Sequence, residues 1–108
     1  MNVDYVLCFE LVERFLDSHS SFDRRAAQDF VTANAEFEIY PGLEMCFWDE
    51  LVNTSAQRLF DTYLYEFGDM DDVDANMQVF VREHAAYFRV YGRPLLREFI
   101  ALIEDELE

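Results

Sequence analysis

Asp72, Asp74, Asn76, Gln78 and Glu83 stand at the first, third, fifth, seventh and twelfth places of a possible calcium-binding loop, with Val79 at its usual apolar eighth place. The chemistry would be oxygen coordination of a hard cation. The sixth place holds Met77 where the loop needs glycine for a sharp turn, and Gly68 interrupts the helix that should lead in. The segment therefore reads as an acidic helix start, in which carboxylates meet free backbone amides. Weak, diffuse calcium binding by Asp69, Asp71, Asp72 and Asp74 is the most it would support.

Other reactive residue types are few. His19 and His84 are the only histidines, and neither has a cysteine or second histidine at metal-ligand spacing. His84 falls on an apolar helical face and reads as a core-edge residue. Ser20 and Ser21 beside His19 fit capping better than a nucleophile and base, since no strand-turn nucleophile elbow precedes them. Cys8 and Cys46 sit among apolar neighbours and read as buried reduced thiols, which suits a cytoplasmic setting. With three glycines, a phosphate-cradling loop could hardly be built. Paired carboxylates are so abundant that their spacing carries no signal for glycoside chemistry. The expectation is a protein that is not an enzyme, with no cofactor and no metal centre.

The charge is the informative feature. Twenty-three acidic residues face eight basic ones among 108, a formal net charge of −15, and all eight cations are arginine. Such a body raises a strong negative field, so its partners should be basic and it should avoid direct contact with nucleic acid and with anionic membranes. The chain is nonetheless 52% hydrophobic and 17% aromatic, with eleven Phe, six Tyr and one Trp, so it can bury a core rather than remain disordered. No targeting segment is visible at the start, and no apolar run is long enough to span a bilayer. One domain over residues 1–108 is expected, with a homodimer as one means of offsetting self-repulsion.

The periodicity calls for a mostly α fold, a compact bundle of five to six short helices, with room for one small β-hairpin around residues 36–48. Tyr5, Phe9, Val12, Phe15 and Leu16 mark a first amphipathic face. Ser20 with Asp23 has capping-box spacing before a second helix whose inner face is Phe22, Ala26, Ala27, Phe30 and Val31. Alternation in 36–39 and 43–48 around Pro41-Gly42 fits a hairpin; the rival is a helix through Leu43, Phe47 and Leu51, favoured by the absence of a breaker from Met45 to Leu51. Asn53-Thr54-Ser55 reads as a break before a stripe of Ala56, Leu59, Phe60, Tyr63, Leu64 and Phe67, ended by Gly68. One long run then links Val73, Met77, Phe80, Val81, His84, Phe88 and Tyr91 up to Gly92. Pro94 opens a last helix through Leu95, Leu96, Phe99, Ile100, Ile103 and Leu107.

The acids crowd residues 36–74. Glu36, Glu38, Glu44, Asp49, Glu50, Asp61, Glu66, Asp69, Asp71, Asp72 and Asp74 stand there against Arg58 alone, giving −10 of the −15. Carboxylates three or four positions apart on a helix lie about 5 to 6 Å apart, close to the spacing of backbone phosphates, so they can form a crude phosphate ladder. In charge, length and helicity the chain resembles the acidic nucleic-acid mimics that phages and mobile elements deploy against restriction or CRISPR nucleases, although no alignable motif accompanies that resemblance. It implies an inhibitor that occupies the basic site of a nucleic-acid-binding protein or nuclease. The alternatives are an immunity protein neutralising one basic nuclease and a general acidic interaction module. In the latter, Tyr40 and Trp48, with Tyr65 and Tyr87, would supply aromatic anchors.

Overall fold

Six helices form in the computed structural model, which describes residues 4–18, 23–34, 42–68 and 71–107. They are α1 (Tyr5–Ser18), α2 (Arg24–Asn34), α3 (Leu43–Phe67), α4 (Val73–Glu83), α5 (Ala85–Tyr91) and α6 (Arg93–Leu107). There is no strand among the described residues. The mostly helical class holds, and the hairpin does not: residues 43–48 are helical, while 36–41 lie outside the described residues. Alternation over so few positions is a weak signal, because Leu43, Phe47 and Leu51 also recur every fourth residue and all are fully buried on that helical face. No described helix is long and apolar enough to cross a membrane.

The chain divides into two compact units, Met1–Leu51 and Val52–Glu108, with α3 contributing to each. In the first unit, Asp4 and Asp23 start the helices. The Asp4 carboxylate accepts the Leu7 amide at 3.0 Å, and Asp23 Oδ1 accepts those of Arg25 and Ala26 at 2.9 and 3.4 Å. Asp23 is thus the N-cap itself rather than the third helical residue of a capping box; Ser20 lies outside the described residues. Substituting Asp23→Ala should lower stability by about 1 kcal/mol, visible as a shift in the urea midpoint with an unchanged slope.

The core of this unit consists of Cys8, Leu11, Val12 and Phe15 on α1, Ala27 and Val31 on α2, and Leu43, Cys46, Phe47 and Leu51 on α3. Phe15 is at its centre, meeting the rings of Phe30 and Phe47 edge-on at 5.7 and 6.2 Å. The buried face of α1 is shifted from the expected one. Tyr5 and Phe9 are largely exposed, and Cys8 and Leu11 take the inward positions. Spacing of three and four residues fits both the Tyr5–Phe9 row and the Cys8–Leu11 row, and the buried residues show that the latter faces the core.

The second unit is organised by aromatic rings. Tyr63, Phe80 and Phe99 are fully buried, with Phe80 stacked on Phe99 at 5.2 Å and edge-on to Tyr63 at 5.5 Å. Leu95 and Ile103 complete the inner face of α6, whereas Leu107 is mostly exposed at its end. Gly68 and Gly92 close α3 and α5 with positive φ values of 72° and 65°, a region disfavoured for side-chain-bearing residues.

Two boundaries and one helix cap differ from the sequence reading. Asn53-Thr54-Ser55 does not break α3, which runs for 25 residues. The apolar periodicity changes phase there, as the stripe of one unit ends and that of the other begins, and a phase change looks like a break. The long run from Val73 to Tyr91 is interrupted at His84, whose φ of −108° and ψ of 31° end α4. The His84 carbonyl accepts the Tyr87 amide three residues on, in a tighter turn than the α-helix. At the start of α4, Asp72 is the N-cap but sits in the left-handed region with no side-chain capping bond. The local support is instead Asn76 Nδ2, which donates to the Asp71 carbonyl at 3.1 Å.

Candidate functional surface

Nineteen of the carboxylates belong to described residues, and none is buried. Asp4, Glu13 and Glu50 are half-buried and the rest exposed. Carboxylates seek this position because burying an unpaired charge costs several kcal/mol, roughly, in a low-dielectric interior. Residues 1–51 carry eleven acids against three arginines, a net of −8, and residues 52–108 carry twelve against five, a net of −7. The boundary between the units falls inside the acidic segment 36–74, so each unit takes part of it.

Of the acids named from sequence, Glu44, Asp49 and Glu50 lie on α3 within the first unit, and Asp61 and Glu66 on α3 within the second. Asp71 and Asp72 precede α4 and Asp74 lies in its first turn. Glu36, Glu38 and Asp69 lie outside the described residues, as does Tyr40. At about 100° per residue, positions 44, 49, 50, 61 and 66 are spread around α3 rather than aligned along it. A regular stripe occurs on α1 instead, where Glu10, Glu13 and Asp17 follow at intervals of three and four.

Two arginines are engaged by groups other than carboxylates. The Arg24 guanidinium lies 5.0 Å from the Trp48 ring centroid, and Arg14 lies 5.8 Å from that of Phe30 while donating to Asn34 Oδ1 at 3.1 Å. Trp48 is half-buried and also touches Phe47 edge-on at 6.1 Å, so it belongs partly to the core of its unit. Tyr87 is half-buried beside His84, whereas Tyr65 is 90% exposed and is the most accessible ring among the described residues.

Two clusters join residues that are distant in sequence. The side chains of Cys8 and Cys46 neighbour each other in the first unit, both buried and both as free cysteines. Burial pushes the Cys8 thiol far above its ordinary range, and the Cys46 contact with the nearby Glu50 and Asp49 charges adds to the rise. Such a thiol is held protonated and unreactive. In the second unit, ligand atoms of Glu66, Glu83 and His84 all lie within 4.8 Å of one another. His84 Nε2 stands 3.6 Å from Glu66 Oε1, and its ring packs against Phe80 at 4.3 Å.

Sequence spacing could not have revealed this second cluster, because Glu66 on α3 and the α4–α5 junction meet only through tertiary packing. His84 is at the edge of the core, as its helical position implied, but it is also where the helix breaks. The calcium-loop reading is excluded geometrically: Asp74, Asn76, Gln78 and Glu83 lie along one regular helix, where they cannot wrap around a single ion. Protein-family models, curated proteins and solved structures were all compared with the chain, and none matches it.

Proposed function

We propose that this protein is a non-enzymatic acidic inhibitor that occupies the basic nucleic-acid-binding site of a partner protein or nuclease. The supporting observation is the placement of its charge: no described carboxylate is buried, and both units are strongly negative. In competition with DNA or RNA, such a surface supplies the field that phosphates would otherwise supply and meets the same arginines and lysines. Attraction of this type accelerates encounter and is spread over many weak contacts. No single carboxylate is essential in this mechanism.

The test is binding to a panel of basic nucleases, with salt and competing nucleic acid as variables. Binding should weaken steeply with salt and be displaced by the nuclease's own DNA or RNA substrate. Replacing Glu36, Glu38, Glu44, Asp49, Glu50, Asp61, Glu66, Asp69, Asp71, Asp72 and Asp74 by their amides should weaken it by at least about thirtyfold, since each exposed charge contributes about 0.2 kcal/mol or more. The proposal fails if that variant keeps its helical circular dichroism and binds as tightly as before. A module anchored by rings would instead lose binding on Tyr65→Ala and respond little to salt.

A further inference from the structure

We propose that Glu66, Glu83 and His84 form a binding site for a divalent transition-metal ion, with Zn2+ as the reference ion. Two carboxylate oxygens and one imidazole nitrogen are a borderline donor set, suited to Zn2+ and neighbouring first-row ions better than to Ca2+ or Mg2+. The site would tie the end of α3 to the α4–α5 junction.

Three observations support this assignment. All three ligand atoms fall within 4.8 Å of one another. The 3.6 Å separation of His84 Nε2 and Glu66 Oε1 is too long for a hydrogen bond. It matches the ligand–ligand edge of a tetrahedral ion, about 3.3–3.6 Å for bonds of about 2.0–2.2 Å. Finally, His84 Nε2 is a buried atom with no hydrogen-bond partner among the described residues, although it faces a carboxylate. A buried polar nitrogen in that condition is costly, and an ion would satisfy it. Glu83 is exposed and can close the remaining distance by side-chain rotation.

Packing fixes the imidazole. Phe80 holds one side at 4.3 Å and Tyr87 approaches at 6.3 Å, so the ring is positioned before any ion arrives. Three protein ligands leave a fourth position for water. This site is distinct from weak calcium binding by surface carboxylates, because it uses a nitrogen ligand on a ring held by packing.

The experiment is a titration of the intact chain with Zn2+ in millimolar Mg2+, which suppresses diffuse carboxylate binding, followed by calorimetry and by imidazole NMR. One equivalent of Zn2+ should bind, shifting the His84 ring resonances and leaving those of His19 in place. His84→Asn should weaken binding by about a hundredfold and Glu83→Gln by about tenfold, while Glu98→Gln, on the exposed side of α6, should leave it unchanged. Co2+ should give a visible spectrum without a thiolate charge-transfer band, separating this site from Cys8 and Cys46. Should His84→Asn fail to fold, the exposed Glu83→Gln variant and the wild-type NMR titration still decide the matter. Absence of one-equivalent binding, an unperturbed His84 ring at saturation, or full affinity in Glu83→Gln would each overturn the assignment. Because binding to basic nucleases is measured separately, either proposal can fail without the other.

Discussion

Phe80→Ala is expected to lower stability by about 3–5 kcal/mol, a large fraction of the roughly 5–15 kcal/mol that holds a domain of this size together. Phe80 is fully buried and its ring contacts those of Tyr63, Phe67, His84 and Phe99 at centroid distances between 4.3 and 6.4 Å. Truncation removes its own burial and leaves a cavity that three helices, α3, α4 and α6, would have to collapse around. Phe80→Leu preserves much of the volume and should cost under about 1.5 kcal/mol. Chemical denaturation followed by circular dichroism distinguishes the two variants. A loss below about 1 kcal/mol for the alanine variant would show that the aromatic cluster does not organise the second unit.

Alkaline pH should destabilise the protein from about pH 9 upward, well before its arginines titrate. Burial lifts the Cys8 thiol above its ordinary value of 9.0 and the Tyr91 phenol above its ordinary value of 10.0, with the nearby Ser55 hydroxyl offsetting part of the latter rise. In the unfolded chain both groups return to ordinary values and lose their protons first. Above pH 9 the unfolded state therefore binds fewer protons than the folded one, and stability falls as pH rises. The contribution is fully present below pH 9. Each group can add a slope of up to about 1.4 kcal/mol per pH unit once its unfolded form has titrated. Cys8→Ala should move the onset from near pH 9 to near pH 10, leaving the Tyr91 component. A wild-type denaturation midpoint that stayed flat from pH 8 to about pH 10.5 would contradict this account.

The two predictions depend on different kinds of burial. Phe80 is held by apolar area, which its sequence neighbours advertise through regular spacing. Cys8 and Tyr91 are polar groups carried inside by the elements around them, and their titration follows from surroundings that local sequence does not specify.

Helix identity was legible to the same extent as its periodicity. The Leu43, Phe47 and Leu51 spacing correctly favoured a helix after Pro41, and Gly68 and Gly92 correctly marked helix ends because only glycine readily takes the backbone conformation found there. Asn53-Thr54-Ser55 misled for an instructive reason. The residues carry little intrinsic penalty in a helix, about half a kcal/mol each, and hydrogen bonding along α3 overrides it. His84 misled in the opposite sense: its spacing continues the helical stripe, while packing against Phe80 accompanies a backbone turn that no periodicity records.

The same division applies to function. Composition by itself determined the sign and size of the charge, the absence of lysine and the capacity for an aromatic core. Exposure of the carboxylates also follows from composition, since unpaired charges are too costly to bury. What only the tertiary structure decided is adjacency. It divided the acidity nearly equally between two units, brought Cys8 against Cys46, and placed Glu66 and Glu83 around a buried nitrogen of His84. The physical reason is that charge and hydropathy are sums over residues, readable in any order. A ligand set depends on which helix faces pack together, and that is settled by long-range burial rather than by spacing along the chain.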